Sequence, residues 1–222
     1  MILLLFLMKG HDWIMRKVFL SIMLLGEMKA TKYISDDFNL DNKYYYFPLS
    51  FIADEILEKN DEAEVITVVE TGSGTAKNAE KNYEVFKQEL TGIAEKKHAA
   101  LNFTQINITK EFESLTFNKF FKDIAFLIKD GDKIYADITF GMKVYTLSMF
   151  IAMAYAAKAG IDISAESIIY SMKYSGTEAA ENVNTAKIYD LTSLFYLNAI
   201  AGEAAAGDKA GLDDLLKFII SR

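Results

Sequence analysis

The clearest pattern along the chain is a repeated change between short apolar runs and longer segments with apolar residues at helical spacing. Runs that are continuously apolar, or that alternate with a period of two, indicate strands of a largely buried sheet. Such runs predict strands at 16–23, 64–70, 102–109, 133–139, 166–174 and 187–190. Helical spacing predicts helices at 49–60, 77–97, 112–128, 142–157, 192–205 and 212–220. The helix at 142–157 is apolar on nearly all sides, so we expect it to be buried.

The order of these elements predicts the fold class. Strand and helix alternate from Met15 onward, which favours a Rossmann-like α/β fold with an open, mainly parallel sheet and helices on both faces. The segment 32–48 interrupts the alternation with polar and aromatic residues around Asp41-Asn42, and it predicts a hairpin or an extended excursion. Neither a repeat nor an interdomain linker is visible, so a single domain is expected.

The apolar segment Met1–Met8 is far shorter than the roughly 20 residues needed to cross a bilayer. It fits a start codon placed too early, with Met15 as the natural start, or a short helix that packs on a partner subunit. A membrane anchor is the third interpretation and the least favoured. We therefore expect an N-terminal extension at 1–14, the α/β domain at 15–205 and a C-terminal helix at 206–222.

Composition narrows the possible functions. The chain has 31 acidic and 24 basic residues and a net charge of −7, which argues against binding long nucleic acid through a basic face. A small phosphorylated ligand remains possible, because local backbone amides can bind it. The absence of cysteine and the presence of only His11 and His98 exclude disulfide frameworks, cysteine nucleophiles and histidine-rich metal centres. We expect a cytoplasmic protein with no metal or cofactor.

Ligands of such sheets bind beyond the carboxyl ends of the strands. The segment Asp137–Lys143 ends a strand, turns tightly and begins a helix. Gly141 would let the backbone approach a phosphate, while Met142 and Lys143 would present amides at the positive end of the helix. Thr139 adds a hydroxyl and Lys143 a mobile charge. An ordinary strand–helix turn with a solvated lysine is the alternative.

Two further loops follow predicted core strands. Thr71, Gly72 and Ser73 lie in a Gly/Ser/Thr turn that could form a second wall of a nucleotide pocket. This turn lacks the Gly-Lys-Ser/Thr ending of a P-loop and the full G-x-G-x-x-G fingerprint, so a flexible surface turn is the alternative. Gly26 follows the first strand and is a third candidate for ligand contact.

Taken in order, these segments resemble the CARF (CRISPR-associated Rossmann fold) family. Asp137–Lys143 is similar to the Asp-(Ile/Leu)-Thr-His-Gly-Phe-Arg type motif of one large subfamily. Phe47-Pro48 opens a helix after an aromatic-rich stretch, and Asn82 lies in the helix after the second core strand. Ile169-Tyr170 lies in a later strand, and Ile188–Thr192 resembles the segment that closes the domain. The resemblance covers nearly the whole chain.

Two departures from that motif bear on chemistry. Phe140 stands where the subfamily has histidine, so a catalytic role for a histidine at this position is excluded. Met142-Lys143 replaces the usual Phe-Arg-like pair, which keeps a cation but loses the fork geometry of arginine.

The resemblance implies a homodimer whose two pockets merge across a two-fold axis. A cyclic oligoadenylate, with cyclic tetra-adenylate favoured, would lie over the Thr139–Lys143 turns of both subunits in the antiviral response of type III CRISPR systems. The chain would then be a metal-independent ring nuclease or a non-catalytic sensor that signals to a partner or membrane. In a ring nuclease, a ribose 2′-hydroxyl attacks the adjacent phosphate, and Lys143 and Thr139 stabilise that phosphate. A Rossmann-like nucleotide enzyme unrelated to CRISPR is the third interpretation.

Overall fold

The computed structural model describes residues 15–23, 25–39, 43–72, 76–109, 114–159, 161–173 and 184–204. The predicted N-terminal extension at 1–14 and the predicted helix at 206–222 lie outside these ranges, so both remain predictions. The secondary structure of the described ranges agrees closely with the pattern of the sequence. Most boundaries differ from the predicted ones by only one or two residues.

The described residues form eight strands and five helices. The strands are β1 Lys17–Ile22, β2 Thr31–Ile34, β3 Tyr44–Tyr45, β4 Glu62–Glu70, β5 Ala100–Ile108, β6 Lys133–Asp137, β7 Ser164–Lys173 and β8 Thr185–Asp190. The helices are α1 Pro48–Ile56, α2 Ala76–Lys97, α3 Ser114–Leu127, α4 Lys143–Lys158 and α5 Thr192–Ala204.

All eight strands belong to one sheet in the order β3-β2-β8-β7-β6-β1-β4-β5. The five strands from β7 to β5 are parallel to one another. At the other side, β8 runs antiparallel to β7, β2 runs parallel to β8, and β3 pairs antiparallel with β2. The predicted Rossmann-like α/β class is confirmed, and the excursion at 32–48 is a hairpin that extends the sheet.

Alternate residues of the strands face two separate cores. Phe19 of β1 and Tyr135 of β6 belong to the core under α1 and α2. Leu20 of β1 and Ala136 of β6 belong to the core that includes residues of α3 and α4. Helices therefore cover both faces, which explains why the central strands are apolar almost without interruption.

Helix α4 differs from the prediction that it is buried. Its inner face is buried, but four apolar side chains on the opposite face are between 40% and 58% exposed: Val144, Leu147, Ile151 and Tyr155. Their spacing places them in one stripe along the helix. The abundance of apolar residues in this segment could not by itself distinguish a fully enclosed helix from one that packs on α3 and α5 and leaves an apolar face uncovered.

Candidate ligand site at the carboxyl edge of the sheet

The centre of the sheet has the topology that creates a crevice at its carboxyl edge. From the central strand β1, the chain order continues outward through β4 and β5 on one side and through β6 and β7 on the other. The two strands that flank this reversal end at the same level, since Ser21 of β1 pairs with Asp137 of β6. The segment after β6 therefore lies at the position where sheets of this type bind ligands.

The turn after β6 packs directly on β1 through Gly141. This glycine has a φ of +88°, and a Cβ added to it would overlap with Cγ2 of Ile22. A side chain here would combine backbone strain with a steric clash. Glycine is thus required for the packing of the turn. From the sequence, this glycine was expected only to let the backbone approach a phosphate.

Asp137 and Thr139 form a hydrogen-bonded network at the start of this turn. The Thr139 amide donates to Oδ1 of Asp137 at 2.8 Å, and the Thr139 hydroxyl oxygen accepts the amide of Ser171 at 2.8 Å. Asp137 is only 1% exposed, and its Oδ2 has no partner among the described residues. Burial raises the pKa of Asp137 to about 6, although the hydroxyl and amide of Thr139 stabilise the carboxylate.

The loop after β1 is held in place by α2. Asn78 donates its side-chain amide to the carbonyl of Leu25 at 3.1 Å, and Asn82 donates to the carbonyl of Gly26 at 2.8 Å. Asn82 was part of the resemblance to the CARF family. In this structure its amide fixes a loop that borders the carboxyl edge.

An open cavity of about 250 Å³ lies beside the turn. One row of its lining runs across three strands, because Lys173 of β7 pairs with Ala186 of β8, which pairs with Tyr33 of β2. Thr139 and Phe140 line it from the turn after β6. The antiparallel extension of the sheet and the predicted ligand turn therefore form one concave site.

The cavity carries positive charge within an acidic protein. The exposed lysines Lys29 and Lys173 line it, and neither forms an ion pair with another residue of the described ranges. Glu27 is the acidic residue in the lining. Asn184 and Thr31, joined by a hydrogen bond of 2.5 Å, add polar groups. Such a lining suits a ligand that has both anionic and hydrogen-bonding groups.

Four other predicted ligand residues near this turn and the loop after β1 are not part of the cavity lining. Gly141 and Met142 line a much smaller space, of about 10 Å³, between the turn and the loop after β1. Lys143 is exposed at the first residue of α4 and lines neither space. Gly26 directly precedes the cavity residue Glu27.

The turn after β4 lies on the other side of β1. Thr71 donates its amide to the carbonyl of Ile108 on β5, and Gly72 is exposed with a φ of +81°. Neither residue lines the two spaces described above, and Ser73 lies outside the described residues. Ligand contact by this turn remains a prediction.

The lysines of the cavity were not predicted from the sequence. Lys173 lies near the end of a predicted strand and Lys29 lies in a loop, so neither has a local motif. They share one site only because β8 runs antiparallel to β7 and β2 pairs with β8. Basic residues close to strand ends are visible in the sequence. Knowing which of them lie near the same cavity requires the order of the strands in the sheet.

The chain matches no known protein-family model and no curated protein sequence. The fold and the site define a single-domain, Rossmann-like α/β protein with a cationic cavity at the carboxyl edge of its sheet. Within the described ranges, no helix has the length and hydrophobicity needed to cross a membrane. The same ranges contain no group of three or more histidine, aspartate or glutamate residues suited to hold a metal ion.

Proposed function

We propose that this protein binds a cyclic oligoadenylate, a second messenger of type III CRISPR antiviral defence, and acts in the cytoplasm. The observation that carries the proposal is the cationic cavity beside Thr139 and Phe140. The cavity borders the turn after β6, where the order of the strands reverses, and this turn is part of the segment that resembles a CARF ligand motif. A cyclic oligoadenylate is a polyanion with purine edges, and the lining offers lysines, hydroxyls and an amide for these groups.

The positive end of α4 supports the same ligand class. Met142 is the N-cap of α4 and makes no side-chain capping bond, and Lys143 is exposed beside it. An anionic phosphate at this end would interact favourably with the helix dipole and with the ammonium group. The cavity would then hold a nucleoside, with phosphates directed toward Lys143.

The size of the cavity supports a ligand shared between two subunits. A volume of about 250 Å³ is below the roughly 300–1,000 Å³ of typical pockets for drug-sized molecules, so one subunit would accommodate about one nucleotide unit. The exposed stripe on α4, formed by Val144, Leu147, Ile151 and Tyr155, begins next to Lys143. We propose a homodimer in which two such stripes pack together and bring both ligand turns to the two-fold axis.

Binding is the core of the proposal, and cleavage is a second step that the same residues could support. Lys143 and Thr139 would stabilise the phosphate attacked by the ribose 2′-hydroxyl. The attack forms a 2′,3′-cyclic phosphate, breaks the bond from phosphorus to the 5′-oxygen of the next nucleotide, and releases that oxygen as a hydroxyl group. The described histidine, His98, follows α2, whereas the proposed phosphate site lies at the start of α4. A ring nuclease built this way would rely on orientation and charge rather than on a histidine base.

The test is to incubate the purified protein with cyclic tri-, tetra- and hexa-adenylate in the presence of EDTA. Binding is measured by calorimetry and products by chromatography. Linear products ending in a 2′,3′-cyclic phosphate would establish a ring nuclease, and tight binding of an intact ring would establish a sensor. If no ring binds, the proposal fails, and a screen of mononucleotides would test an unrelated nucleotide-binding enzyme.

Single substitutions test the site. Lys143→Ala, Lys173→Ala and Thr139→Ala should each weaken binding by about 1.5–3 kcal/mol, roughly ten- to a hundredfold, as expected for loss of a charge-assisted hydrogen bond. Lys158→Ala is the matched control, because Lys158 is an exposed lysine at the opposite end of α4. Equal affinities of all four variants and the wild-type protein would locate the ligand elsewhere.

A further inference from the structure

A row of three buried polar side chains crosses the sheet beneath the candidate site. Thr67 of β4 pairs with Ser21 of β1, and Ser21 pairs with Asp137 of β6. Oγ1 of Thr67, Oγ of Ser21 and Oδ2 of Asp137 are all buried without a hydrogen-bond partner among the described residues. Paired residues of parallel strands face the same side of the sheet, so the three groups form one polar layer in an otherwise apolar core.

Among the described residues, no positively charged group contributes to the pKa shift of Asp137. Tyr33 of β2 lies near Asp137. Burial raises the pKa of Tyr33, and the negative charges of Asp137 and of Glu89 on α2 raise it further. Burial also raises the pKa of Glu89, which accepts the amides of Tyr46 and Phe47 before α1. No charged residue of α1, β1 or β7 contributes to the shift of Asp137. Its negative charge is therefore stabilised mainly by Thr139.

Thr139 connects this buried carboxyl group to the cavity. Its amide donates to Asp137, its hydroxyl also stabilises the ionised carboxylate, and its hydroxyl oxygen accepts the amide of Ser171. Both Thr139 and Ser171 line the cavity. Thr139 therefore joins Asp137 by hydrogen bonds to the cavity lining, of which Thr139 and Ser171 are both part.

We propose that Asp137 is a positioning residue that links ligand binding to a proton, so that an anionic ligand binds preferentially when the Asp137 carboxyl group is protonated. Two effects favour this direction. Protonation removes a buried negative charge near the anion, where the low dielectric makes repulsion strong. It also leaves the Thr139 hydroxyl proton free to bond a ligand oxygen. The proposal rests on the proposed function for the identity of the ligand.

The experiment measures the affinity for cyclic tetra-adenylate from about pH 5.5 to about pH 8 in wild-type protein and in Asp137→Asn. Wild-type affinity should fall about tenfold over this range, which corresponds to a ligand-induced shift of about one pKa unit at a linked carboxyl group. Asp137→Asn should lose this dependence. Glu27→Gln is the matched control, because it removes an exposed carboxylate from the same cavity and should change the affinity without removing the pH dependence.

A ligand-free measurement tests the linkage separately. The amide NMR signals of Thr139 and Ser171 should titrate together with a midpoint near pH 6 in the wild-type protein and should not do so in Asp137→Asn. If wild-type protein binds no cyclic tetra-adenylate but these signals titrate, the proposed function fails and the proton linkage of the turn stands. If the ligand binds equally well at every pH, or the two amides do not titrate, the role of Asp137 is overturned.

Discussion

Two Asp-x-Thr segments flank β7 and share two hydrogen bonds in different environments. Asp137 is the last residue of β6 and Thr139 lies in the turn after it, whereas Asp190 is the last residue of β8 and Thr192 begins α5. In each segment the threonine amide donates to Oδ1 of the aspartate at 2.8 Å. In each, the threonine hydroxyl oxygen also accepts a backbone amide of β7 at 2.8 Å. In the second segment the Thr192 hydroxyl also donates to Oδ1 of Asp190 at 2.5 Å.

The strand register explains why the two segments are alike. Asp137 and Asp190 both pair with Ile169, so β6 and β8 end at the same level of β7 from opposite directions. Beyond Ile169, β7 has no neighbouring strand on the β6 edge toward its C-terminus, and none on the β8 edge toward its N-terminus. Thr139 satisfies the amide of Ser171 on one edge, and Thr192 satisfies that of Ile168 on the other. Asp-x-Thr is therefore a way to end a strand while keeping its neighbour hydrogen-bonded.

Burial and position distinguish the two segments. Asp137 is buried beside the cavity, whereas Asp190 is partly exposed at the start of α5. The shared hydrogen bonds account for the structural role of both segments. They do not account for a buried carboxyl group with an unpartnered oxygen in the first segment. That difference singles out Asp137 as the functional candidate.

The largest expected effect is a pH-dependent gain in stability when Asp137 is replaced by asparagine. The pKa of Asp137 is raised from 3.8 to about 6, so the folded state binds a proton more tightly than the unfolded chain, and the group's contribution to stability decreases as pH rises through this interval. The full change is about 3 kcal/mol. Asp137→Asn should therefore gain stability relative to wild type by up to about 3 kcal/mol between pH 4 and pH 7. Urea denaturation across that range measures this gain, and parallel stability curves for both proteins would contradict it.

An intermediate effect tests what the two segments share. Thr139→Val and Thr192→Val each leave a buried β7 amide without its acceptor, and each should cost about 1–3 kcal/mol of unfolding free energy. Thermal and chemical denaturation of both variants would measure these costs. A large loss in one variant and none in the other would show that the segments are not structural equivalents.

The smallest effect is expected at Asp190. Asn retains an oxygen that can accept the Thr192 amide, and the partly exposed carboxylate loses little solvation on folding. Asp190→Asn should therefore change the unfolding free energy by less than about 1 kcal/mol. A larger loss, measured by urea denaturation at neutral pH, would mean that the charge of Asp190, and not only its acceptor oxygen, stabilises the end of β8.

Local patterns in the sequence were sufficient to predict most of the fold. The amphipathic pattern at 77–97 predicted α2 to within one residue at its start, and the β-branched run at 64–70 predicted most of β4. The direction of β8 was not predicted, although the connection from β7 to β8, at residues 174–184, is shorter than a parallel crossover needs. The exposed face of α4 could not be predicted, because the exposure of a helix face depends on which elements pack against it.

Only part of the candidate site could be predicted from local patterns in the sequence. The turn Asp137–Lys143 has a local signal, because a strand end, a glycine and a helix start follow one another in the chain. Its neighbours in the cavity have none, since Lys29, Lys173 and Asn184 meet only through pairing across β7, β8 and β2. The difference in burial between Asp137 and Asp190 could not be predicted either, because the Asp-x-Thr pattern does not determine burial.

The pairing of β2 with β8 has a consequence for how the protein acquires its site during synthesis. Thr31 and Asn184, which are hydrogen-bonded at the cavity, are 153 positions apart in the chain. Closing so long a loop is entropically costly and is favourable only once the intervening strands and helices have folded. A nascent chain on the ribosome can form the central parallel strands earlier, but it lacks a complete cavity until β8 has emerged. The proposed ligand site is thus complete only after the chain has been synthesised through β8.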